Sequence, residues 1–351
     1  MILLTGGAGY IGSHVSVALS DAGLDVVVVD NLSNSNKASL ERVQTICGRS
    51  LVFRHADICN EEAVYEILRA YDVSAVIHLA GFKAVGDSSV RPMAYYENNV
   101  VGTMRLVSAM TRASVKTLVF SSSATVYGCP EYLPLDEKHP LKPTNPYGRT
   151  KFFIEEMLKD LCNSDPCWRV GILRYFNPVG AHESGLIGED PVGIPNNLLP
   201  FVAQVAVGKR DKVLIFGNDY DTADGTGIRD FIHVVDLACG HLSVLNHLKQ
   251  PGMLTVNLGT GSGNSVLEVI RTFEAVSGRS VPYEFGERRP GDVAACYANP
   301  TFARKALGWK SRRSLAQMCA DHWRWQSQNP DGYRGTQPLQ YRVSKLKVRA
   351  G

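Results

Sequence analysis

Tyr147 and Lys151 stand four residues apart in Pro146-Tyr147-Gly148-Arg149-Thr150-Lys151, at the head of a helical pattern over 152–161. On a helix such residues share one face, with Cβ atoms roughly 5–6 Å apart. A phenol beside an ammonium suits proton transfer. Tyr titrates near ~10 when unperturbed, and a neighbouring cation favours the phenolate. A proton-transfer group works best when its pKa lies near the working pH. The same spacing also describes an ordinary surface pair, so its meaning depends on what the rest of the chain brings to it.

Upstream, the apolar run 2–5 ends in Thr5-Gly6-Gly7-Ala8-Gly9-Tyr10-Ile11-Gly12. A helical pattern over 15–22 follows, closed by Gly23, and then Val26-Val27-Val28-Val29-Asp30. Strand, glycine turn, helix, strand and acid are the parts of a dinucleotide-binding unit in order. Gly6, Gly9 and Gly12 let backbone approach a pyrophosphate, and the helix start offers it unpaired N–H groups. Asp30 would accept from a ribose diol and repel a 2′-phosphate, so the expected cofactor is NAD and not NADP. Further apolar runs at 51–53, 73–80 and 116–121 alternate with helical patterns at 61–70 and 94–112. That alternation predicts an α/β fold, a Rossmann-like doubly wound parallel sheet covered on both faces. Ligands in such sheets lie beyond the carboxyl ends of the strands. Those ends carry the glycine turn, Asp30-Asn31, Asp57-Ile58, Ala80-Gly81 and Ser121-Ser122-Ser123.

A chain of 351 residues suggests two domains, or one with a large appendage. We expect the NAD-binding domain over 1–176 and a smaller mixed α/β substrate-binding domain over 177–332. The latter has a loop at 177–193, an asparagine-led helix at 194–208, strands at 213–216 and 231–235, and a helix capped by Asp236. Residues 333–351, with four cations between Arg342 and Arg349, read as a flexible basic tail. Hydrophobic residues at 44% and charged residues at 20% are those of an ordinary soluble protein. A net charge of +3 gives no reason to expect nucleic acid. No apolar run approaches a membrane span, and the strand opening at Ile2 leaves no room for a leader. The eight cysteines lack metal-site spacing and read as reduced thiols of a cytoplasmic protein, with no metal expected.

The glycine pattern, Ser123 and Tyr147-x-x-x-Lys151 together resemble the extended short-chain dehydrogenase/reductases. Within them, Gly81-Phe82-Lys83-Ala84-Val85-Gly86, the SSSATVYG stretch from Ser121, RYFNPVGA from Arg174, IPNNLL from Ile194, IFGNDY from Ile215 and DGTGIRD from Asp224 are similar to the UDP-glucose 4-epimerase family, over about residues 1–330. The resemblance implies that Tyr147 takes the proton of a sugar 4-hydroxyl while hydride passes to NAD, with Lys151 and Ser123 in support. A transient 4-keto sugar then turns over and is reduced on its other face. It further implies cofactor contacts from Tyr10, Ile11, Asn34, Ser35, Leu79, Lys83, Asn98, Tyr175 and Phe176. A UDP-hexose would be gripped by Asn177, Asn197, Leu198, Phe216, Arg229, Arg289 and Asp292. Cys296 falls where some 4-epimerases carry a tyrosine that closes the pocket around the C2 substituent, which implies room for N-acetylated UDP-hexoses. Family members pair through two helices each, here 94–112 and 149–162, so a homodimer is expected. Two alternatives stand beside this reading. Dehydratases and decarboxylases of the superfamily carry carboxylates just after the serine, where this chain has Ala124 and Thr125. A silent NAD-binding sensor would have no reason to keep Ser123, Tyr147 and Lys151.

Overall fold

The computed structural model describes residues 1–334 apart from 192, 194 and 290, so most of the expected basic tail lies outside the described residues. The first half alternates as its hydrophobic pattern predicts. β1 (Ile2–Thr5) leads to α1 (Tyr10–Asp21), β2 (Val26–Asp30), α2 (Ala38–Cys47), β3 (Val52–His55), α3 (Glu61–Ala70) and β4 (Ala75–His78). Short helices α4 (Val85–Val90) and α5 (Pro92–Tyr95) pass through a π turn, Tyr96–Val101, into α6 (Gly102–Arg112). Then come β5 (Thr117–Ser123), α7 (Pro146–Ser164) and β6 (Arg169–Tyr175). The second half comprises β7 (Asn177–Val179), α8 (Leu198–Ala206), β8 (Val213–Phe216), β9 (Ile228–His233), α9 (Val234–His247), β10 (Gly252–Leu258), β11 (Gly263–Ser265), α10 (Val266–Ser277), β12 (Tyr283–Gly286), β13 (Ala295–Cys296), α11 (Thr301–Leu307) and α12 (Leu315–Gln328). A 3₁₀ turn, Gly332–Arg334, closes the described chain.

Seven parallel strands form the main sheet in the order β10-β6-β5-β4-β1-β2-β3. Successive residues point to opposite faces, and both faces are covered, which is why β1, β2 and β4 are unbroken apolar runs. Leu4, Val28, Ile77 and Val119 pack toward α1 and α9 with Leu237 and Val244. Their neighbours Leu3, Val27, Val76 and Leu118 pack toward Leu68 of α3, Leu106 of α6 and Leu158 of α7. The strand order reverses between β1 and β4, and the Gly6–Gly12 turn sits at that switch point. A second core brings Val202 of α8, Ile215 of β8, Phe273 of α10 and Met318 of α12 together. Around it β11-β9-β13 with β7 make a small mixed sheet, and β8 and β12 a parallel pair.

Several expectations are corrected. The seventh strand, β10, and the helix α9 lie beyond residue 176 yet belong to the main sheet and its cover. The helix expected at 94–112 is broken by the π turn. The loop at 177–193 contains β7, and the helix expected from 194 starts at Leu198. Asp236 does not cap α9. The N-cap is His233, whose Nδ1 accepts from Val235 N at 3.1 Å, while Asp236 takes the backbone N–H groups of Arg312 and Arg313 and pairs with the Arg313 guanidinium at 2.5 Å. Tyr333, placed in the tail by its lack of periodicity, is buried against Trp325 with ring centroids 4.8 Å apart.

Candidate active site

A cleft of about 670 Å³ runs along the carboxyl ends of the strands. Its walls bring together the expected Gly6, Gly9, Tyr10, Ile11 and Gly12 from the turn, with Asp30, Asn31, Asn34 and Ser35 after β2. Ile58, Leu79, Ala80, Gly81, Lys83 and Asn98 complete that side, and Asn197 faces it. The turn has no room for a side chain at Gly12, where a Cβ would meet Gly6 O at 2.3 Å. Asp30 is held from three directions, accepting from Ala8 N at 3.0 Å, Leu32 N at 2.9 Å and Ser35 Oγ at 2.8 Å. Each carboxylate oxygen has two lone pairs; Oδ1 already accepts two hydrogen bonds and Oδ2 one, so one acceptor site, on Oδ2, remains for a ribose hydroxyl. Asp57 lies just outside the cleft wall. It accepts from Asn31 Nδ2 at 2.9 Å and from Cys59 N at 2.8 Å. Burial would raise its pKa, but these hydrogen bonds outweigh it and hold the carboxyl below its usual range. A glycine turn at a switch point with an aspartate at the end of the next strand, opening on a cleft of this volume, fits a dinucleotide.

The catalytic candidates meet where β5 ends against the start of α7. Asn145 caps α7 by accepting from Gly148 N at 2.9 Å, and Pro146 supplies a helix-ready first residue. Gly148 allows the approach, because a Cβ there would lie 2.8 Å from Thr125 O. The helix start is thereby set against the 3₁₀ turn Ala124–Val126, and Tyr147 comes within hydrogen-bonding reach of Ser123. Ser123 Oγ also accepts from Thr125 N at 3.2 Å and Thr125 Oγ1 at 3.0 Å. Burial pushes the Tyr147 phenol up from its ordinary value, and the Ser123 hydrogen bond pulls it partly back. The ammonium of Lys151 does not reverse that. It donates to Ser121 O at 2.7 Å and lies 5.9 Å from the Tyr147 ring centroid. Burial lowers Lys151 to about 8, against the opposing pull of the Glu155 carboxylate. The expectation that the cation would make the phenol more acidic is therefore not met in this arrangement, since desolvation dominates both groups.

Behind this corner lies a buried polar network that the sequence reading missed. Glu155, one turn beyond Lys151, pairs with Arg174 of β6 at 2.5 Å and accepts from Ser122 Oγ. Arg174 Nη1 continues to Tyr127 OH at 3.2 Å, and Tyr127 OH to Asn257 Oδ1 of β10 at 2.6 Å. Asn99, in the π turn, accepts from Phe82 N at 2.8 Å and donates to Phe82 O at 3.0 Å and Thr150 Oγ1 at 3.2 Å. π turns recur at functional sites, and this one ties the Gly81–Lys83 loop to α7 between Tyr147 and Lys151. Tyr175 and Phe176 form a buried wall, with Tyr175 OH 3.1 Å from His241 Nε2.

The expected substrate residues gather on the second body, more loosely held. Arg229, on β9, donates to Val293 O at 2.9 Å and pairs with Asp292 at 2.9 Å. The Arg289 guanidinium stacks 3.8 Å from the centroid of Phe216, the last residue of β8. Asn177 is exposed at the head of β7. Asn197 occupies the N-cap position before Leu198 but makes no capping bond, and its amide instead donates to Glu189 Oε1 at 2.7 Å. Cys296 pairs in register with Arg229 and packs in the cluster of Val126, Tyr127 and Phe176, beside the end of β5. Burial holds its thiol up at about 11, so it is neutral. Among the described residues, no helix is long and apolar enough to cross a membrane, and no His, Cys, Asp or Glu cluster could hold a metal.

A doubly wound sheet with a glycine turn after β1 and an aspartate ending β2, and a serine, tyrosine and lysine assembled at the end of β5, define an extended short-chain dehydrogenase/reductase. A family model described as GDP-mannose 4,6 dehydratase matches residues 3–322. A UDP-glucose 4-epimerase of Bacillus subtilis is 56% identical over 337 residues, covering 96% of this chain and 99% of that protein. The human UDP-glucose 4-epimerase is 56% identical over 344 residues, again covering 96% of this chain and 99% of its own. The crystal structure of the Bifidobacterium longum UDP-glucose 4-epimerase with NAD+ and UDP has a TM-score of 0.92 at 50% identity, over 94% of this chain and 99% of that one. The UDP-Glc/GlcNAc 4-epimerase of Campylobacter jejuni has a TM-score of 0.82 at 37% identity, over 93% and 99%. The chain belongs to the UDP-glucose 4-epimerase family.

Proposed function

We propose that this protein interconverts UDP-glucose and UDP-galactose at C4, with NAD as cofactor, and accepts the N-acetylated pair as well. The observation that carries the reaction type is the corner at the end of β5. Ser123, Tyr147 and Lys151 are assembled there, while Ala124 and Thr125 stand where a dehydratase needs a general acid. Thr125 instead donates to Ser123 Oγ. Oxidation at C4 therefore has no elimination to follow it, which favours a reaction that reverses itself over the dehydration in the family model's description. NAD, when bound, supplies the acceptor and then the donor of the C4 hydride. Tyr147 takes the 4-hydroxyl proton and returns one to the reduced sugar, and Ser123, within reach of Tyr147, positions the same oxygen and relays the proton. Lys151 adds a positive charge under the corner. Arg229 and Arg289 would fork onto the diphosphate, Asp292 onto the uridine ribose, and Phe216 onto the uracil. That grip on the non-reacting nucleotide keeps a 4-keto sugar from escaping while it turns over.

Two finer parts have separate support. For the N-acetyl substrates it is Cys296, a small neutral thiol in the wall beside β5. A pocket rejects by bulk, and a thiol leaves room where a phenol would clash with an acetamido group. For a homodimer it is the exposure of Val90, Met93, Met104 and Phe153 on α4 to α7, the same side of the sheet as the pairing helices. Large apolar groups in the open are interface candidates.

Incubating the purified protein separately with the four UDP-hexoses and resolving the products tests both levels. Interconversion of the plain pair is expected, and its absence sinks the epimerase reading. Cys296→Tyr is expected to abolish the N-acetyl reaction and spare the plain one. A wild-type protein that turns over only the plain pair would show that another wall sets the pocket size.

A further inference from the structure

Glu189 was not among the residues that the sequence singled out, and it occupies an unusual place. Its side chain is 5% exposed, yet it lines the cleft between the two groups of ligand-facing residues. One oxygen, Oε1, is shared. It accepts from Lys83 Nζ on the cofactor side at 2.9 Å and from Asn197 Nδ2 on the substrate side at 2.7 Å. The other, Oε2, is buried and has no hydrogen-bond partner among the described residues. A buried carboxylate oxygen left unpaired is costly, so this one is suited to a hydroxyl brought in by a ligand.

The backbone around Glu189 is held from behind. Trp325 Nε1 donates to Glu189 O at 3.2 Å, Gly188 N donates to Tyr333 OH at 3.2 Å, and Tyr333 N donates to Asp190 Oδ2 at 2.9 Å. A Cβ on Gly188 would lie 2.4 Å from the Trp325 ring, so only glycine lets the segment lie flat on the indole. The end of α12 and the closing 3₁₀ turn thus form a fixed back wall. The carboxylate it presents reaches a lysine of one ligand half and an asparagine of the other.

We propose that Glu189 is a positioning residue that couples the two ligands, so that seating a uridine diphosphate through Asn197 tightens the hold on NAD through Lys83. The inference rests on the epimerase reading above. A ligand that orders Asn197 orders the shared oxygen and with it the Lys83 ammonium. The second ligand then meets a group whose freedom is already lost. Coupling of this kind is reciprocal and commonly amounts to about 5–150-fold. It serves a reaction with no net redox change, because the cofactor is held most firmly while a sugar is in place.

The test follows exchange of bound NAD against labelled NAD in the holoenzyme, with and without saturating UDP, and so reads no turnover. In the wild type, UDP is expected to slow exchange by about tenfold, within that coupling range. In Glu189→Ala the ratio should fall toward one while calorimetry still detects UDP binding. Adding Lys83→Met to that variant should lower the ratio no further, a non-additivity that a merely structural role would not produce. If Glu189→Ala unfolds by circular dichroism, Glu189→Leu, which keeps much of the bulk and removes both acceptor oxygens, decides by the same ratio. A variant ratio equal to the wild type's overturns the proposal, as does a wild type that binds UDP with no effect on exchange. A wild type that binds no UDP at all defeats the sugar-nucleotide reading itself.

Discussion

The corner at the end of β5 and the rim formed by β8, β9, Arg288, Arg289 and residues 291–296 are built on opposite plans. At the corner, Ser122, Lys151, Glu155 and Arg174 are all buried, and each is tied to another element. At the rim, Arg288, Arg289 and Asp292 are exposed: Arg288 pairs with Asp219 and stacks on Tyr220, Arg289 stacks on Phe216, and Asp292 pairs with Arg229. A network in low dielectric is rigid because each missing bond would leave an unsatisfied charge. Exposed arginines keep their rotamer freedom and can follow a ligand. The contrast matches the division of labour proposed above: proton transfer needs fixed geometry, whereas the grip on a nucleotide has only to be firm.

The largest expected effect breaks the corner at its reacting group. Tyr147→Phe should lower kcat by about 10²–10⁴-fold, the range a positioned acid–base group supplies, while the fold and retained NAD are unchanged. Near-normal turnover in a folded variant would mean that the proton travels by another route.

Next comes the support behind it. Glu155→Gln leaves the Arg174 guanidinium buried with its charge uncompensated, which should destabilise the protein by about 3–5 kcal/mol in a urea titration. A loss under ~1 kcal/mol would show that Tyr127 and the Glu137 carbonyl, 3.4 Å from Arg174 Nη1, satisfy Arg174 unaided, and that the corner is held less tightly than its buried network implies.

How much of this contrast was legible in the chain follows from what each part rests on. Strands buried on both faces are continuous apolar runs, so β1, β2 and β4 and the glycine turn could be read directly, and Tyr147-x-x-x-Lys151 heads a periodic helix. Edge and tertiary features could not be. β10 begins with Gly252, Met253 and Leu254, which are half-exposed or exposed, and its buried stretch, Val256 to Leu258, is short and interrupted by the polar Asn257. The π turn is invisible to periodicity, because what breaks the helix is Asn99 reaching back to Phe82 across the loop. His233 caps α9 where the usual preference for Asp pointed to Asp236, which is claimed by Arg313 from 77 residues away. Glu189 and Tyr333 stand in no periodic pattern, and each also takes a partner more than a hundred residues distant, Lys83 for one and Gly188 for the other.

The third prediction uses pH. Lys151 is lowered to about 8 by burial. Its ammonium is whole below that value and is lost as pH rises through it, whereas in the unfolded chain a lysine keeps its proton to ~10.4. Between those values the unfolded chain binds more protons, so this group's contribution to stability rises with pH there, and below about 8 the buried charge is a net penalty. Its contribution to activity runs the other way, because the charge under the corner fades. The rate should fall on the alkaline side with a midpoint near 8 for the native protein. In Glu155→Gln, which removes the one carboxylate pull that raises Lys151, that limb should move to lower pH. A limb that stays in place would disconnect Glu155 from the lysine.

The smallest expected effects lie at the rim, and they sharpen the comparison by their kind. Arg229→Ala removes a partly exposed fork from the proposed diphosphate grip. It should raise the KM for UDP-glucose by roughly tenfold and leave kcat within about twofold, the signature of binding shared equally by ground state and transition state. Asp292→Asn, which releases Arg229 from its ion pair and keeps the acceptor oxygen, should change KM by no more than about threefold, since exposed pairs are weak. Steady-state kinetics on both variants separates the two plans. A rim built like the corner would show a fall in kcat on replacing Arg229, because loosening it would misplace the sugar against Tyr147. A rim that only grips would show the loss in KM alone.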